Sequence, residues 1–353
     1  MRDENLRICI IGAGFVGMKH AAAYGASKRA KLQVACDSNF DAASRMAESC
    51  GFERIECNWE KAVTAEDVDI VCICVPNHMH FKIAYAALQA GKAVVSEKPL
   101  GMNSKESEEL AALAEARMAK TSCCYNLVYV PAIQYVKRLI DRGELGELVC
   151  FRGCYDNDRL ADPNGLFEWR MEKKHAEGGS ICDLGLNIIA VSQYLFGDIV
   201  SVAAITDIIH GKRADRNGTL YDVENDDIAQ FIYTYRNGGM GYISCNRVAP
   251  GSKQDMKFEI QFTKGAVRFC LERMNEIQVF RIGQSGYEIV KSDDSGWFNV
   301  GYEELKTIDA EHFLSCVSEN GTVAVDFDFA AKVDKTIEAV LEAAERSAWV
   351  TIK

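Results

Sequence analysis

An apolar run, Ile8-Cys9-Ile10-Ile11, empties directly into Gly12-Ala13-Gly14-Phe15-Val16-Gly17, and an apolar helical pattern through Met18, Ala21, Ala22 and Tyr24 follows. A buried strand that turns into a helix across three glycines at this spacing predicts the start of a parallel α/β unit. Its helix N-terminus exposes backbone N–H groups at the positive end of the helix dipole. Gly12 permits the tight turn, Gly14 the close approach of a pyrophosphate, and Gly17 the close packing of helix on sheet. Further on, a second apolar run, Leu32–Cys36, ends in Asp37. A carboxylate there accepts both hydroxyls of an adenosine ribose and repels a 2′-phosphate. Ser38, Asn39 and Phe40 follow it, with no Lys or Arg, so NAD is expected in preference to NADP. The expected cofactor contacts in this region are Gly12, Gly14, Phe15, Val16, Gly17, Asp37 and Ser38.

The length, 353 residues, is more than one typical domain and predicts two. A formal charge of −11 argues against a nucleic-acid footprint or an anionic-membrane anchor. The sequence shows neither a signal-peptide pattern nor an apolar run near the roughly 18 residues of a membrane span, so a soluble, cytoplasmic protein is expected. Fourteen cysteines accompany only six histidines. Most of the cysteines sit in apolar strand segments, where Cys behaves as a small hydrophobe. With no C-x-x-C and no zinc-like spacing, reduced thiols, no metal and no structural disulfide are expected. Cys72 and Cys74 read as alternate faces of one strand.

From Leu6 to Tyr125 strands and amphipathic helices alternate, as in a doubly wound parallel sheet. The strands are Leu6–Ile11, Leu32–Cys36, Asp69–Val75, Ala93–Ser96 and Thr121–Tyr125. After a helix over Ala132–Arg142 the pattern changes to alternating strands separated by turn signals such as Asn237-Gly238-Gly239. This second region predicts a large, mostly antiparallel open sheet interrupted by a helix at Leu184–Phe196. The fold class is therefore α/β, with domains over 1–126 (cofactor binding) and 127–353 (substrate binding and oligomerisation), the last helix being able to return to the first domain. The charged, glycine-containing segment Gly211–Glu224 is the expected mobile loop.

In an open parallel sheet, ligands lie across the carboxyl ends of the strands. Those ends carry Pro76-Asn77-His78-Met79-His80, Glu97-Lys98-Pro99 and Tyr125-Asn126, with Tyr129 just beyond. Pro76, Asn77, His80, Glu97, Lys98 and Asn126 are the expected cofactor contacts there, although Asn77 alternatively caps the next helix, and His78 and His80 read as capping or packing residues rather than catalytic ones. A lysine desolvated beside a nicotinamide cation gives up its proton near neutrality, which suits proton exchange with an alcohol.

These elements resemble the Gfo/Idh/MocA oxidoreductases, named for glucose-fructose oxidoreductase, inositol dehydrogenase and a rhizopine catabolism protein. The resemblance runs over nearly the whole chain: Gly12-x-Gly14-x-x-Gly17, Asp37, Pro76-Asn77-His78-x-His80, Gly91-Lys92, Glu97-Lys98-Pro99, Gly143-x-Leu145-Gly146 and Gly178-Gly179-Ser180-x-x-Asp183-x-Gly185. It implies a Rossmann domain followed by an α/β domain with an open sheet, homo-oligomers built through that sheet, and NAD(P)-linked redox of a sugar, glycoside or cyclitol hydroxyl. The segment Asp156–Arg170, ending in Phe167-Glu168-Trp169-Arg170, resembles a branch acting on pyranosides and inositols.

The chain departs from the family pattern after Gly178-Gly179. The family's Asp is Asp183, but four residues later Asn187 replaces the usual His, and Ala190 replaces a further Asp. Asn hydrogen-bonds but does not titrate. Three readings follow. Lys98 is the sole general base, with Asp183 and Asn187 orienting the alcohol. Alternatively, His175 or Tyr129 supplies a second titrating group. In the third, catalysis is lost and the fold serves as an NAD- or sugar-sensing protein. The first is preferred, with catalytic residues Lys98, Asp183 and Asn187 and a substrate wall of Lys98, Tyr129, Trp169, Arg170, His175, Asp183 and Asn187. Trp169 either stacks on a sugar face or packs between domains. The absence of an arginine in Tyr125–Tyr129 favours a neutral substrate.

Overall fold

The computed structural model describes residues 5–176, 178–294 and 296–352. They divide into two compact units, one of residues up to 126 with 301–334, the other of 127–300 with 335 onward.

The first unit begins with β1 (Leu6–Ile11), α1 (Phe15–Gly25), β2 (Ala30–Cys36), α2 (Phe40–Cys50), β3 (Arg54–Glu56) and α3 (Trp59–Thr64). It continues with β4 (Ile70–Ile73), α4 (His80–Gln89), β5 (Ala93–Ser96), α5 (Ser104–Arg117) and β6 (Thr121–Cys123). The six strands pair in parallel in the order β3-β2-β1-β4-β5-β6. That is the doubly wound order whose reversal between β1 and β4 opens a ligand crevice at the strand ends. Every residue of β4 is fully buried, which is why Ile70-Val71-Cys72-Ile73 carries no polar alternation. Asn39, Asn58 and Asn103 each accept a first-turn N–H to cap α2, α3 and α5. Cys72 and Cys74 lie on the same face, not on alternate faces, with their sulfurs 3.7 Å apart. Residues i and i+2 of a strand share a side.

The second unit contains α6 (Pro131–Asp141), β7 (Leu148–Asp156), α7 (Leu186–Phe196), β8 (Ile199–Asp207), β9 (Lys212–Ala214), β10 (Leu220–Asp222), β11 (Ile228–Tyr235) and β12 (Met240–Asn246). Beyond them run β13 (Asp255–Phe262), β14 (Gly265–Cys270), β15 (Ile277–Arg281), β16 (Glu288–Val290), β17 (Ser292–Asp293) and β18 (Gly296–Trp297). Gly238 and Gly239 both take positive φ in the turn joining β11 to β12, as a tight hairpin requires. The large sheet is antiparallel except where β7 and β12 run side by side. The segment expected to be a mobile loop instead forms the β9–β10 hairpin. Buried Arg213 anchors it by donating to the carbonyls of Leu160 and Asp162.

The chain then returns to the first unit with α8 (Leu305–Ser318). Ala310, Phe313 and Leu314 join Ile8, Ile10 and Tyr24 in one core, which is why residues 301–334 fold with the nucleotide unit. The long α9 (Phe327–Arg346) belongs to the first unit through Asp334 and to the second from Lys335 onward, where β19 (Val350–Thr351) pairs with β8. Among the described residues all fourteen cysteines are free thiols, and no helix is long and apolar enough to cross a membrane.

Candidate active site

The three glycines of the first turn have different physical reasons. A Cβ on Gly12, whose φ is +103°, would lie 2.3 Å from the Cys74 carbonyl oxygen, and one on Gly17 would lie 1.8 Å from the Gly12 carbonyl oxygen. Both glycines are required by the protein's own packing. A Cβ on Gly14 would meet nothing within 4 Å. Packing therefore does not explain Gly14, but a ligand lying against its backbone does. Gly14 is also the N-cap of α1 without a side-chain cap, and the first turn holds no acidic residue. The turn so formed fits a pyrophosphate. Phe15 is exposed, with the Lys19 ammonium over its ring, and Val16 is half-buried.

Asp37 leaves the end of β2 half-buried. Its Oδ2 accepts the N–H of Ala13 at 2.8 Å and its Oδ1 that of Asn39 at 2.9 Å. The carboxylate is thereby fixed in orientation with lone pairs to spare for a diol. Ser38 beside it is exposed. These features fit a dinucleotide.

At the other strand ends, Pro76 is exposed and Asn77 half-buried at the start of a 3₁₀ turn. The N-cap of α4 is Met79, without a side-chain cap, so Asn77 does not cap that helix. His80, expected to touch the cofactor, is 1% exposed. Its Nδ1 lies 2.7 Å from the Pro99 carbonyl oxygen and its Nε2 2.8 Å from that of Val75. The ring staples two loops and has no polar atom left for a nucleotide. Burial lowers its pKa, against the opposing effect of those two carbonyls; a neutral ring donates to one of them, and only the protonated ring donates to both.

Glu97 is likewise turned inward. Its Oε1 accepts from the Lys306 ammonium at 2.7 Å and lies 2.9 Å from His20 Nε2. Burial alone would raise this carboxyl, but Lys306 and His20 outweigh it and hold it well below the usual carboxylate range. Cys124 Sγ lies 3.8 Å from the same His20 nitrogen. With Cys72 and Cys74, these are donor types found in metal centres. The ammonium 3.1 Å from His20 Nε2 would oppose a cation there, and the group reads as an ion-paired support beneath the loop that bears Lys98. Lys98 itself is half-buried, and its ammonium makes no hydrogen bond or ion pair among the described residues. The Lys98-Pro99 peptide is cis. Asn126 is half-buried at the start of the next 3₁₀ turn.

The second unit organises the expected substrate residues around a distorted helix start. Buried Asp226 accepts the N–H groups of Gly179 and Ile181 and the Ser180 hydroxyl, capping the segment after the double glycine. A Cβ on Gly179 would lie 1.8 Å from the Asp226 carbonyl oxygen. Residues Ile181–Gly185 form one π-helical turn before α7, a distortion common at functional sites. Asn187 is nearly buried, and its Nδ2 donates to the Asp183 carbonyl at 3.1 Å and to that of Leu184 at 3.4 Å.

The Asp183 carboxylate accepts from Arg159 Nη2 at 3.2 Å, and Arg159 Nη1 reaches Glu168 at 2.9 Å. Arg170 lies over one face of Trp169, 4.3 Å from the ring centroid. His175 pairs with Glu172 at 3.2 Å, and Tyr129 is buried. Arg159, Asp226, Lys306 and Asp334 were not expected from the sequence. For Asp334 a signal existed: it is an acid between Ala330 and Ile337 on the apolar stripe of α9.

A family model for oxidoreductases with an NAD-binding Rossmann fold matches residues 6–125, and one for the GFO/IDH/MocA C-terminal domain matches residues 133–268. Levoglucosan dehydrogenase of Pseudarthrobacter phenanthrenivorans is 30% identical over 99% of this chain and 98% of its own. The scyllo-inositol 2-dehydrogenase (NAD(+)) of Bacillus subtilis is 24% identical over 96% of this chain and 94% of its own. Among solved structures, levoglucosan dehydrogenase in complex with NADH superposes with a TM-score of 0.95 at 29% identity, covering 99% of both chains. An NAD binding oxidoreductase from Klebsiella pneumoniae does so with a TM-score of 0.95 at 30% identity and the same coverage. The residues of the glycine turn, the Glu97-Lys98-Pro99 loop and the Gly178–Gly185 segment thus have a common origin: the chain belongs to the Gfo/Idh/MocA family of oxidoreductases.

Proposed function

We propose that the protein is an NAD-dependent dehydrogenase that interconverts a secondary ring alcohol and its ketone on a neutral sugar, glycoside or cyclitol. The observation that carries this reading is Lys98, whose ammonium engages no described residue while the loop that follows it is held by His80 and Asp334. Relatives that act on levoglucosan and scyllo-inositol support the substrate class. NAD, when bound, supplies the hydride acceptor. Gly12, Gly14, Phe15, Val16 and Gly17 hold its pyrophosphate, Asp37 its adenosine ribose, and Pro76, Asn77 and Asn126 line its nicotinamide end. Asp37 and the lack of a following cation favour NAD over NADP.

Lys98 accepts the hydroxyl proton as the carbinol carbon is oxidised and returns it in reduction. Asp183 and Asn187 orient the ring, with Trp169 and Arg170 as part of its wall. Arg159 is already paired with two carboxylates, so its own guanidinium is not left over for an anionic substrate. The exposed apolar residues Ile205, Ile232 and Tyr242 on the large sheet support a homo-oligomer formed through that face. The test is NADH formation from NAD⁺ with levoglucosan, scyllo-inositol and methyl glucopyranoside, with NADP⁺ in parallel. Reduction of NAD⁺ by one of them is expected. NADH binding without turnover on any polyol would instead favour a sensor.

A further inference from the structure

Lys98 stands in a loop fixed by residues distant in sequence. The Pro99 carbonyl oxygen is 2.7 Å from His80 Nδ1, and the Val75 carbonyl oxygen is 2.8 Å from the other nitrogen of that ring. The N–H groups of Leu100 and Gly101 both donate to Asp334 Oδ2, at 3.1 and 3.3 Å. Asp334 is 4% exposed. Its carboxylate also accepts from the Ser107 hydroxyl at 2.7 Å and the Tyr125 hydroxyl at 3.4 Å. Glu97, on the other side, is held by His20 and Lys306. Burying an acid costs stability unless it is hydrogen-bonded, and this one is. Here both backbone N–H groups that it receives belong to the turn immediately after Lys98.

We propose that Asp334 and His80 are positioning residues for Lys98. They fix the backbone of residues 99–101 through one carbonyl and two N–H groups, so that the amine swings only about its own side-chain torsions. A proton acceptor held this way loses little orientational freedom on reaching the reactive geometry, and a displacement of about 1 Å costs on the order of 10²-fold in rate. The proposal rests on the reading of Lys98 as the proton acceptor, and its test separates the two.

Hydrogen exchange of the apo-protein comes first. The Leu100 and Gly101 amides are expected to be protected, and Asp334→Asn is expected to speed their exchange while α5 stays protected. Turnover with levoglucosan and NAD⁺ comes second. Asp334→Ala and His80→Phe are expected to lower kcat by about ten-fold or more, with NADH affinity changed by less than about three-fold. Asp334→Asn and His80→Gln, which keep one hydrogen-bonding atom, are expected to recover part of the loss. In a Lys98→Ala background the same substitutions are expected to add almost nothing, because residues acting as a unit are non-additive.

Unchanged Leu100 and Gly101 exchange, or an equal further loss of rate without Lys98, would overturn the proposal. If Asp334→Ala does not fold, the Asn and Gln variants decide it by the same readings. Full turnover in Lys98→Ala would instead remove the proton-acceptor reading, an outcome visible in that single variant alone.

Discussion

The Oδ2 of Asp37 accepts the backbone N–H of Ala13 at 2.8 Å, tying the end of β2 to the residue between the first two glycines. The carboxylate that would read the ribose is thus oriented by the turn that would cradle the pyrophosphate. Charge-assisted hydrogen bonds of this kind are worth about 1.5–3 kcal/mol. Asp37→Ala should therefore weaken NAD binding by roughly 10- to 100-fold while leaving NADP binding much less affected. Fluorescence titration with both reduced cofactors checks this, and an unchanged preference would show that Asp37 does not discriminate.

Gly14 and Gly17 should separate binding from folding. The Gly14 backbone, at φ −77° and ψ −172°, is open to alanine, and its Cβ would touch no protein atom. Gly14→Ala should still fold, since alanine in place of a favoured N-cap residue costs only about 1 kcal/mol, yet lose most of its NADH affinity. Gly17→Ala should be poorly folded, because its Cβ would lie 1.8 Å from a carbonyl oxygen. Thermal melts with and without NADH distinguish the two.

Arg159 is the side chain that holds the Asp183 carboxylate. Its removal takes away one hydrogen bond that orients this acid and the positive charge beside it. Arg159→Ala should raise KM for a neutral polyol by about three- to ten-fold, the worth of about one hydrogen bond, with NADH affinity intact. Steady-state kinetics at saturating NAD⁺ check this. An unchanged KM would place Arg159 and Asp183 outside substrate contact.

Burial pushes the Asp334 carboxyl up to about 7, from an ordinary 3.8, despite the hydrogen bonds from Ser107, Gly101, Leu100 and Tyr125 that favour its charge. The folded state therefore keeps a proton that the unfolded chain has lost between pH 3.8 and about 7. This group's contribution to stability is complete below the lower value, falls as pH rises through the window, and levels off above about 7. Asp334→Asn should remove that part of the slope. Urea melts of both proteins across the window measure the difference, and parallel curves would contradict the assignment.

The parts of the site legible in the sequence are those carried by contiguous motifs. Gly12, Gly14 and Gly17 follow from local turn geometry, Asp37 from a strand end, and Lys98 from a short constrained loop. The supporting residues are not contiguous with what they support. Asp334 reaches Leu100 from 234 positions away, and Lys306 reaches Glu97 from 209. His80 lies in a motif that points to the cofactor, but packing turns its ring toward two carbonyls. The placement of residues 301–334 was hidden for the same reason. An amphipathic helix announces that one face is buried, but not against which core. The shared face of Cys72 and Cys74 was available from strand period alone.

Replacing Lys98 by alanine tests the reading most directly. Single-turnover reduction of enzyme-bound NAD⁺ by whichever polyol of the panel the wild type oxidises should slow by about 10²- to 10⁴-fold, the usual contribution of a positioned acid–base group, while the Kd for NADH stays close to wild type. Turnover that survives the substitution, or a loss explained wholly by weaker NADH binding, would contradict it.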